Sequence, residues 1–154
     1  MKRSGLSLNV LVLYLLLVAA LVGAQGPASA REAQIAAIES QKVPVEGGGS
    51  YTGVSVTGLT QMLKQKDFLL INVHIPYEGE INGTDLFVPF NEVEANLGKL
   101  PADKSAKLVV YCRSGRMSAI AARALVKLGY TNVWNLDGGM FAWKQTGYPL
   151  VNSQ

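Results

Sequence analysis

Along most of the chain, the hydrophobic positions collect in short runs that predict β-strands. Residues 68–73 and 107–111 are nearly continuous apolar runs, typical of strands that are buried on both faces of a sheet. Residues 51–56, which are rich in β-branched and aromatic side chains, and residues 132–136 predict two further strands. Residues 86–90 form another short apolar run. The pattern therefore indicates about five strands.

The segments between these runs have helical periodicity. Residues 116–128 are the clearest example, because apolar side chains recur on one face at helical spacing and Gly129 follows as a C-terminal stop. The last predicted helix covers residues 139–146. The side chains of the helix 116–128 that we expect to point inward are Ile120, Ala121, Ala124, Leu125 and Leu128.

Two more helices are predicted earlier in the chain. The first follows the strand that ends at residue 56, with Thr57 or Thr60 as its N-terminal cap. The second covers residues 91–100, with Asn91 as its cap and Pro101 as its end.

Alternating strands and helices predict an α/β fold. We expect a central parallel sheet of about five strands, flanked by helices on both faces. In such sheets the reactive site forms at the carboxyl ends of the strands. Asn72 and His74 lie at the end of one buried strand, and Cys112 directly follows another. These three residues are therefore the first candidates for a site.

The beginning of the chain has the pattern of a secretory signal peptide. Lys2 and Arg3 precede an uncharged apolar run over residues 6–24, and a small-x-small cleavage site ends at Ala30. Cleavage there would place residues 31–154 outside the cytoplasm, in the periplasm or secreted. The alternative is that the apolar run stays uncleaved and anchors the protein in the membrane, again with the domain outside the cytoplasm.

The chain thus divides into three predicted segments. Residues 1–30 are the signal peptide, residues 31–50 a flexible tether, and residues 51–152 the α/β domain. Residues 47–50, with the sequence Gly-Gly-Gly-Ser, are the flexible break before the domain.

Charge and composition exclude several classes of function. The predicted signal peptide holds two of the 14 basic residues and none of the 11 acidic ones, which leaves a net charge of +1 for the rest of the chain. This balance gives no reason to expect a nucleic-acid partner. His74 is the single histidine, so we expect no metal site built from imidazoles and no cofactor. Cys112 is the single cysteine and has no partner for an internal disulfide.

The loop after Cys112 favours a reactive thiolate over an inert buried thiol. Arg113, Ser114 and Gly115 connect a buried strand to a helix that begins near Arg116. Such a turn points several backbone N–H groups toward the sulfur, and amides at a helix N-terminus attract an anion. The same field stabilises a thiolate, and the two arginines add positive charge.

Two sequence motifs in the right order resemble the rhodanese (sulfurtransferase) family. Residues 109–119 (VVYCRSGRMSA) are similar to the family's active-site loop, and residues 129–140 (GYTNVWNLDGGM) to its last strand and Gly-Gly turn. Residues 142–149 match its closing helix, and residues 68–74 (FLLINVH) resemble the strand that usually ends Asp-Val-Arg. The resemblance covers about residues 51–150 and implies a rhodanese-like fold.

The resemblance also implies a sulfur transfer in two steps. Cys112 would attack a small anionic sulfur donor, thiosulfate or a persulfide, and become a persulfide itself. It would then pass the sulfur to a thiophilic acceptor, for which a thiol-bearing protein is one candidate. The substrate-binding residues would be those of the loop, in which the two arginines steer the anion: Arg113, Ser114, Gly115, Arg116, Met117 and Ser118.

The chain also departs from the family pattern. Met117 stands where the family's loops commonly carry Arg, and Asn72 and His74 replace the Asp and Arg of the Asp-Val-Arg strand end. These two residues are expected to support the site from the neighbouring strand, with a Cys112–His74 dyad as the alternative. The identity of the donor stays open.

Three other functions compete with the enzyme. The domain could carry sulfur for a partner protein without turnover, or it could be an inactive interaction domain, against which the intact Cys112 loop argues. A cysteine phosphatase would need Cys-x5-Arg, but the position six residues after Cys112 is Ser118.

Overall fold

The computed structural model describes residues 40–152, and a six-stranded sheet forms their centre. Its strands are β1 (Ser40–Pro44), β2 (Ser50–Val54), β3 (Leu69–Asn72), β4 (Leu86–Phe87), β5 (Leu108–Tyr111) and β6 (Val133–Leu136). The spatial order is β1-β2-β6-β5-β3-β4. Only β1 runs antiparallel to its neighbour; β2, β6, β5, β3 and β4 are mutually parallel. The predicted α/β fold with a central parallel sheet is confirmed.

Helices cover both faces of the sheet, as predicted. Helix α1 spans Val56–Lys64, α2 spans Arg116–Lys127 and α3 spans Gly139–Gln145. One core cluster packs α2 against side chains of β3 and β5, with Ile71 and Val110 among them. The other packs α1 and α3 against the opposite face, where Leu70 and Val109 lie. Since consecutive strand residues point to opposite faces, each buried strand contributes to both clusters.

The N-terminal cap of α1 differs from the prediction. Ser55, not Thr57 or Thr60, is the cap, and its hydroxyl accepts the N–H of Gly58 at 3.0 Å. The helix therefore begins directly after β2, which shortens the connection between them.

The predicted helix over residues 91–100 is wrong. This segment is a series of turns that ends in a short 3₁₀ helix at Leu97–Lys99. The side chain of Asn96 donates to the Glu92 carbonyl at 2.8 Å, and asparagine and glycine are weak helix formers in any case. Val93 and Leu100 are buried there, so the turns still contribute to the core.

Part of the predicted tether is a strand. Ser40–Pro44 pairs with Ser50–Val54 in an antiparallel hairpin, and the glycines of residues 47–49 form its turn. Val45 is buried at the start of this turn. The prediction of a flexible segment is therefore wrong for residues 40–50, while residues 31–39 and the predicted signal peptide lie outside the described residues.

Tyr111 ties the central strand to a loop at the sheet edge. Its hydroxyl accepts the N–H of Ile81 at 3.0 Å and lies 2.6 Å from the Thr84 hydroxyl. Because Thr84 gives its own proton to the Ile81 carbonyl, Tyr111 is the donor to Thr84. Burial raises the pKa of Tyr111 to about 12, so the phenol keeps its proton over the physiological pH range.

Candidate active site

Cys112 lies at the carboxyl end of the central strand β5, where the chain turns into α2. Its sulfur accepts the backbone N–H of Gly115 at 3.1 Å, and the hydroxyl of Ser118 lies 3.4 Å away. Gly115 has φ +89°, a left-handed conformation that glycine adopts without strain. The sulfur therefore faces the first turn of α2, where the helix dipole and the amide favour an anion.

Helix α3 supports this loop from behind. The N–H of Met140 donates to the Cys112 carbonyl at 2.9 Å, and the N–H of Phe141 donates to the Arg113 carbonyl at 2.8 Å. The approach requires glycine at position 139, because a Cβ there would lie 2.1 Å from the Cys112 carbonyl oxygen. The Gly-Gly turn thus determines where the cysteine loop lies.

A cavity of about 430 Å³ opens beside the sulfur. It brings together six of the nine predicted site residues with two that were not predicted. Phe90 was assigned to a strand, and Ile120 was expected to point inward but is 46% exposed. The cavity is lined by His74, Phe90, Cys112, Arg113, Ser114, Arg116, Met117 and Ile120.

The remaining predicted residues lie beneath or behind the cavity. Gly115 and Ser118 contact the sulfur itself, and the Ser118 hydroxyl also lies 3.2 Å from the Gly115 carbonyl. Asn72 is fully buried; its amide donates to the Gly79 carbonyl at 3.0 Å and its side-chain oxygen accepts the N–H of His74 at 3.0 Å. Asn72 therefore shapes the chain on which His74 is carried.

His74 lies in the cavity wall rather than behind it. The residue is 5% exposed, and neither ring nitrogen has a hydrogen-bond partner among residues 40–152. The hydrogen bond that a Cys112–His74 dyad requires is thus not formed within the described residues. Its Nε2 lies 3.5 Å from Oε1 of Glu78, a residue that was not predicted to belong to the site.

Glu78 joins two candidate site residues. Its Oε1 lies 3.4 Å from Nη1 of Arg113 as well as near His74. Arg113 is therefore ion-paired with a carboxylate, whereas Arg116 forms no ion pair within the described part of the chain. The sequence gives no signal that Glu78 belongs to the site, because only the path of its loop brings the carboxylate there.

A second cavity of about 530 Å³ lies on the other side of Arg116 and Ile120. It is bounded by Arg123 on α2 and by Asn135 and Asp137 at the end of β6. Burial raises the pKa of Asp137. This cavity shares Ser114, Arg116 and Ile120 with the cysteine cavity but does not include Cys112.

Two kinds of feature are absent from residues 40–152. No group of three or more histidine, cysteine, aspartate or glutamate side chains there could hold a metal ion. Within the same range, no helix combines the length and apolarity needed to cross a bilayer.

Comparisons with known proteins show which family model and which relatives this chain matches. Residues 55–146 match the family model of the rhodanese-like domain. A sulfurtransferase of Allochromatium vinosum is 36% identical over 89 residues, which are 56% of this chain and 80% of that protein. The thiosulfate sulfurtransferase GlpE of Shewanella oneidensis is 33% identical over 101 residues, 62% of this chain and 95% of that protein.

A solved structure agrees with these matches. The crystal structure of a rhodanese-related protein from Thermoplasma volcanium superposes with a TM-score of 0.55 at 27% identity. The alignment covers 64% of this chain and 96% of that one.

Proposed function

Because this chain belongs to the rhodanese-like domain family and has sulfurtransferases among its relatives, we propose that it transfers a sulfane sulfur through a persulfide on Cys112. The observation that carries this proposal is the position of the Cys112 sulfur. It lies 3.1 Å from the Gly115 amide at the start of α2 and borders a cavity of about 430 Å³. An anionic sulfur is stabilised there, and a donor has room to approach it.

In the first step, the Cys112 thiolate attacks the outer sulfur of thiosulfate. A bond forms between Sγ and that sulfur, the S–S bond of thiosulfate breaks, and its electron pair leaves with sulfite. Arg116, which has no ion-pair partner within the described residues, attracts the dianion, and Arg113 contributes a charge that Glu78 partly balances. A persulfide donor would react in the same way and release a thiolate.

In the second step, the persulfide gives its outer sulfur to a nucleophilic acceptor. The acceptor attacks that sulfur, and Cys112 leaves as a thiolate that the Gly115 amide again stabilises. A protein that only carries sulfur for a partner would form the persulfide in the first step but would not release the sulfur rapidly. Turnover with cyanide therefore separates the enzyme from the carrier.

The first prediction is that thiosulfate adds one sulfur atom to the purified protein. Intact mass analysis will show this gain in the wild type and no gain in Cys112→Ser, because the chain has no other thiol. Serine hydroxyls cannot substitute for the thiol, since only a thiolate attacks sulfane sulfur efficiently. If thiosulfate, polysulfide and a small persulfide all leave the mass unchanged, the proposed function is wrong.

We also propose that the enzyme works outside the cytoplasm, in the periplasm or secreted. The support is the basic start, apolar run and small-residue cleavage site of residues 1–30. An uncleaved segment would hold the same domain at the membrane instead.

A further inference from the structure

His74 is a buried polar group for which the two steps above have no use. It is 5% exposed, it borders the cysteine cavity, and neither ring nitrogen has a partner among residues 40–152. Leaving an imidazole buried without hydrogen bonds is costly, and proteins retain such groups where a ligand or a reaction uses them. The imidazole therefore has unused hydrogen-bonding capacity in the wall of the cavity beside Cys112.

The charges around this imidazole suit a proton acceptor. Oε1 of Glu78, on the loop after β3, lies 3.5 Å from Nε2 and can stabilise an imidazolium. The loop after β5 and the start of α2 contribute Arg113, Arg116 and Cys112 to the cavity that His74 borders. Nη1 of Arg113 lies 3.4 Å from the same Glu78 oxygen. This contact partly neutralises the negative charge of the carboxylate.

Apart from Ser114, the rest of the cavity wall is apolar. Phe90, Met117 and Ile120 line it, and Ile120 exposes 46% of its surface although it lies on a helix that packs on the core. A small inorganic anion gains no binding free energy from these apolar side chains. The hydrocarbon part of an organic molecule would bury them and gain from the hydrophobic effect.

We propose that the sulfur acceptor of this site is an organic thiol, and that His74 takes the proton from its sulfur. This inference rests on the proposed function, since it assigns the acceptor of the second step. The neutral imidazole accepts the S–H proton, and the thiolate so formed attacks the outer sulfur of the Cys112 persulfide. A bond forms between the two sulfurs, the bond from Sγ to the outer sulfur breaks, and its electron pair stays on Sγ. The imidazolium returns its proton to the released persulfide or to solvent.

The rate enhancement expected from His74 depends on how much of the acceptor thiol is already ionised. An ordinary alkyl thiol with a pKa of about 8.5 is only a few per cent thiolate at pH 7, so a base in the site gains at most roughly 30-fold there. The gain disappears once the pH exceeds the pKa of the thiol. It is also absent for an acceptor that is already an anion.

The test measures the discharge of preformed Cys112 persulfide in single-turnover experiments. The acceptors are cysteine, which is mostly protonated at pH 7, 4-nitrothiophenol, which is ionised, and cyanide. In His74→Gln, we expect discharge to cysteine to slow by about 10-fold at pH 7 and to match the wild type above about pH 10. Discharge to 4-nitrothiophenol, and to cyanide measured above pH 10, will stay within about 2-fold of the wild type.

A second pair of variants guards against a folding defect in His74→Gln. Glu78→Gln removes the carboxylate beside the imidazole and is expected to slow discharge to cysteine by about 3-fold without slowing 4-nitrothiophenol. Glu78 is a positioning residue in this scheme, because it acts through His74. The matched control is Glu80→Gln, which removes the same charge from the same loop; the Glu80 carboxylate accepts from Asn152 at 2.7 Å instead of facing the site.

Equal slowing of cysteine and 4-nitrothiophenol in His74→Gln, or no slowing of cysteine at pH 7, would overturn the inference while leaving the Cys112 persulfide intact. Absence of any persulfide on the wild-type protein is a different result, and it would contradict both the proposed function and this inference.

Discussion

Gly139 is the residue on which the position of the cysteine loop depends most directly. Its backbone has φ +57°, and the carbonyl of Cys112 occupies the space that any side chain would need. The next two amides of α3 donate to the carbonyls of Cys112 and Arg113. One glycine thus combines a left-handed turn with a close backbone contact to the cysteine loop.

The substitution Gly139→Ala is therefore expected to damage both stability and activity. The left-handed conformation and the clash at 2.1 Å should lower the free energy of unfolding by about 2 kcal/mol or more. Persulfide formation should slow as well, because the Cys112 loop must move. Urea denaturation and the rate of sulfur loading measure the two effects.

The matched control is Gly98→Ala. A Cβ at Gly98 meets no atom within 4 Å, and its φ is outside the left-handed region. Its free energy of unfolding should stay within about 0.5 kcal/mol of the wild type. If both alanine variants behave alike, the contact between α3 and the cysteine loop has no special importance.

Residues at the site were predictable where one segment carries the chemistry. Cys112, Gly115 and Ser118 are neighbours in sequence, so the loop that surrounds the sulfur could be identified from the sequence alone. Glu78 and Ile120 were missed for different reasons. Glu78 reaches the site only through the path of its loop, and Ile120 has the apolar character of a core residue although it lies on the cavity rim.

At the scale of elements, the central strand β5 links the site to the far edge of the sheet. Its last residue, Tyr111, directly precedes Cys112 and holds Ile81 and Thr84 by its hydroxyl. The Ile81 side chain is fully buried, so this bond orders a loop that completes the core.

Removing that hydroxyl in Tyr111→Phe should lower the free energy of unfolding by about 1–3 kcal/mol, because the buried Ile81 N–H loses its acceptor. Chemical denaturation measures this loss. The substitution Tyr148→Phe is the control, since that ring is 42% exposed and still packs on Trp143. A Tyr111→Phe variant as stable as the control would contradict the role given to this hydroxyl.

Elements with strong local periodicity were predicted well. The strands β3, β5 and β6 and the helix α2 lie within one or two residues of their predicted bounds. The helix predicted over residues 91–100 is wrong because apolar side chains there reach the core from turns. Their burial therefore does not require a helix. Strand β1 was missed because a short polar segment becomes a strand only when β2 offers it a partner.

At the scale of the whole molecule, the site lies where the elements of both faces meet. Helix α2 on one face supplies the amide environment of Cys112, and α3 on the other face holds the loop from behind. The first turns of both helices therefore contribute to the position of Cys112, as expected for a site at the carboxyl end of parallel strands.

The export proposal gives a prediction for the whole chain. Protein recovered from the extracytoplasmic fraction should begin at Arg31, as determined by N-terminal sequencing and intact mass. Replacing Ala28 and Ala30 with arginine should block this processing, because signal peptidase requires small residues there. Full-length chain in the cytoplasm would contradict the proposal, and full-length chain in the membrane fraction would support the anchor instead.

The sequence by itself determined the α/β class, the buried strands β3, β5 and β6, helix α2 and the cysteine loop, because each depends on periodicity or on neighbours along the chain. The tertiary structure alone decided that Ser40–Pro44 joins the sheet, that Ile120 lines the cavity, and that Glu78 lies beside His74 and Arg113. These features arise from contacts between distant segments. No local pattern encodes which side chains such contacts bring together.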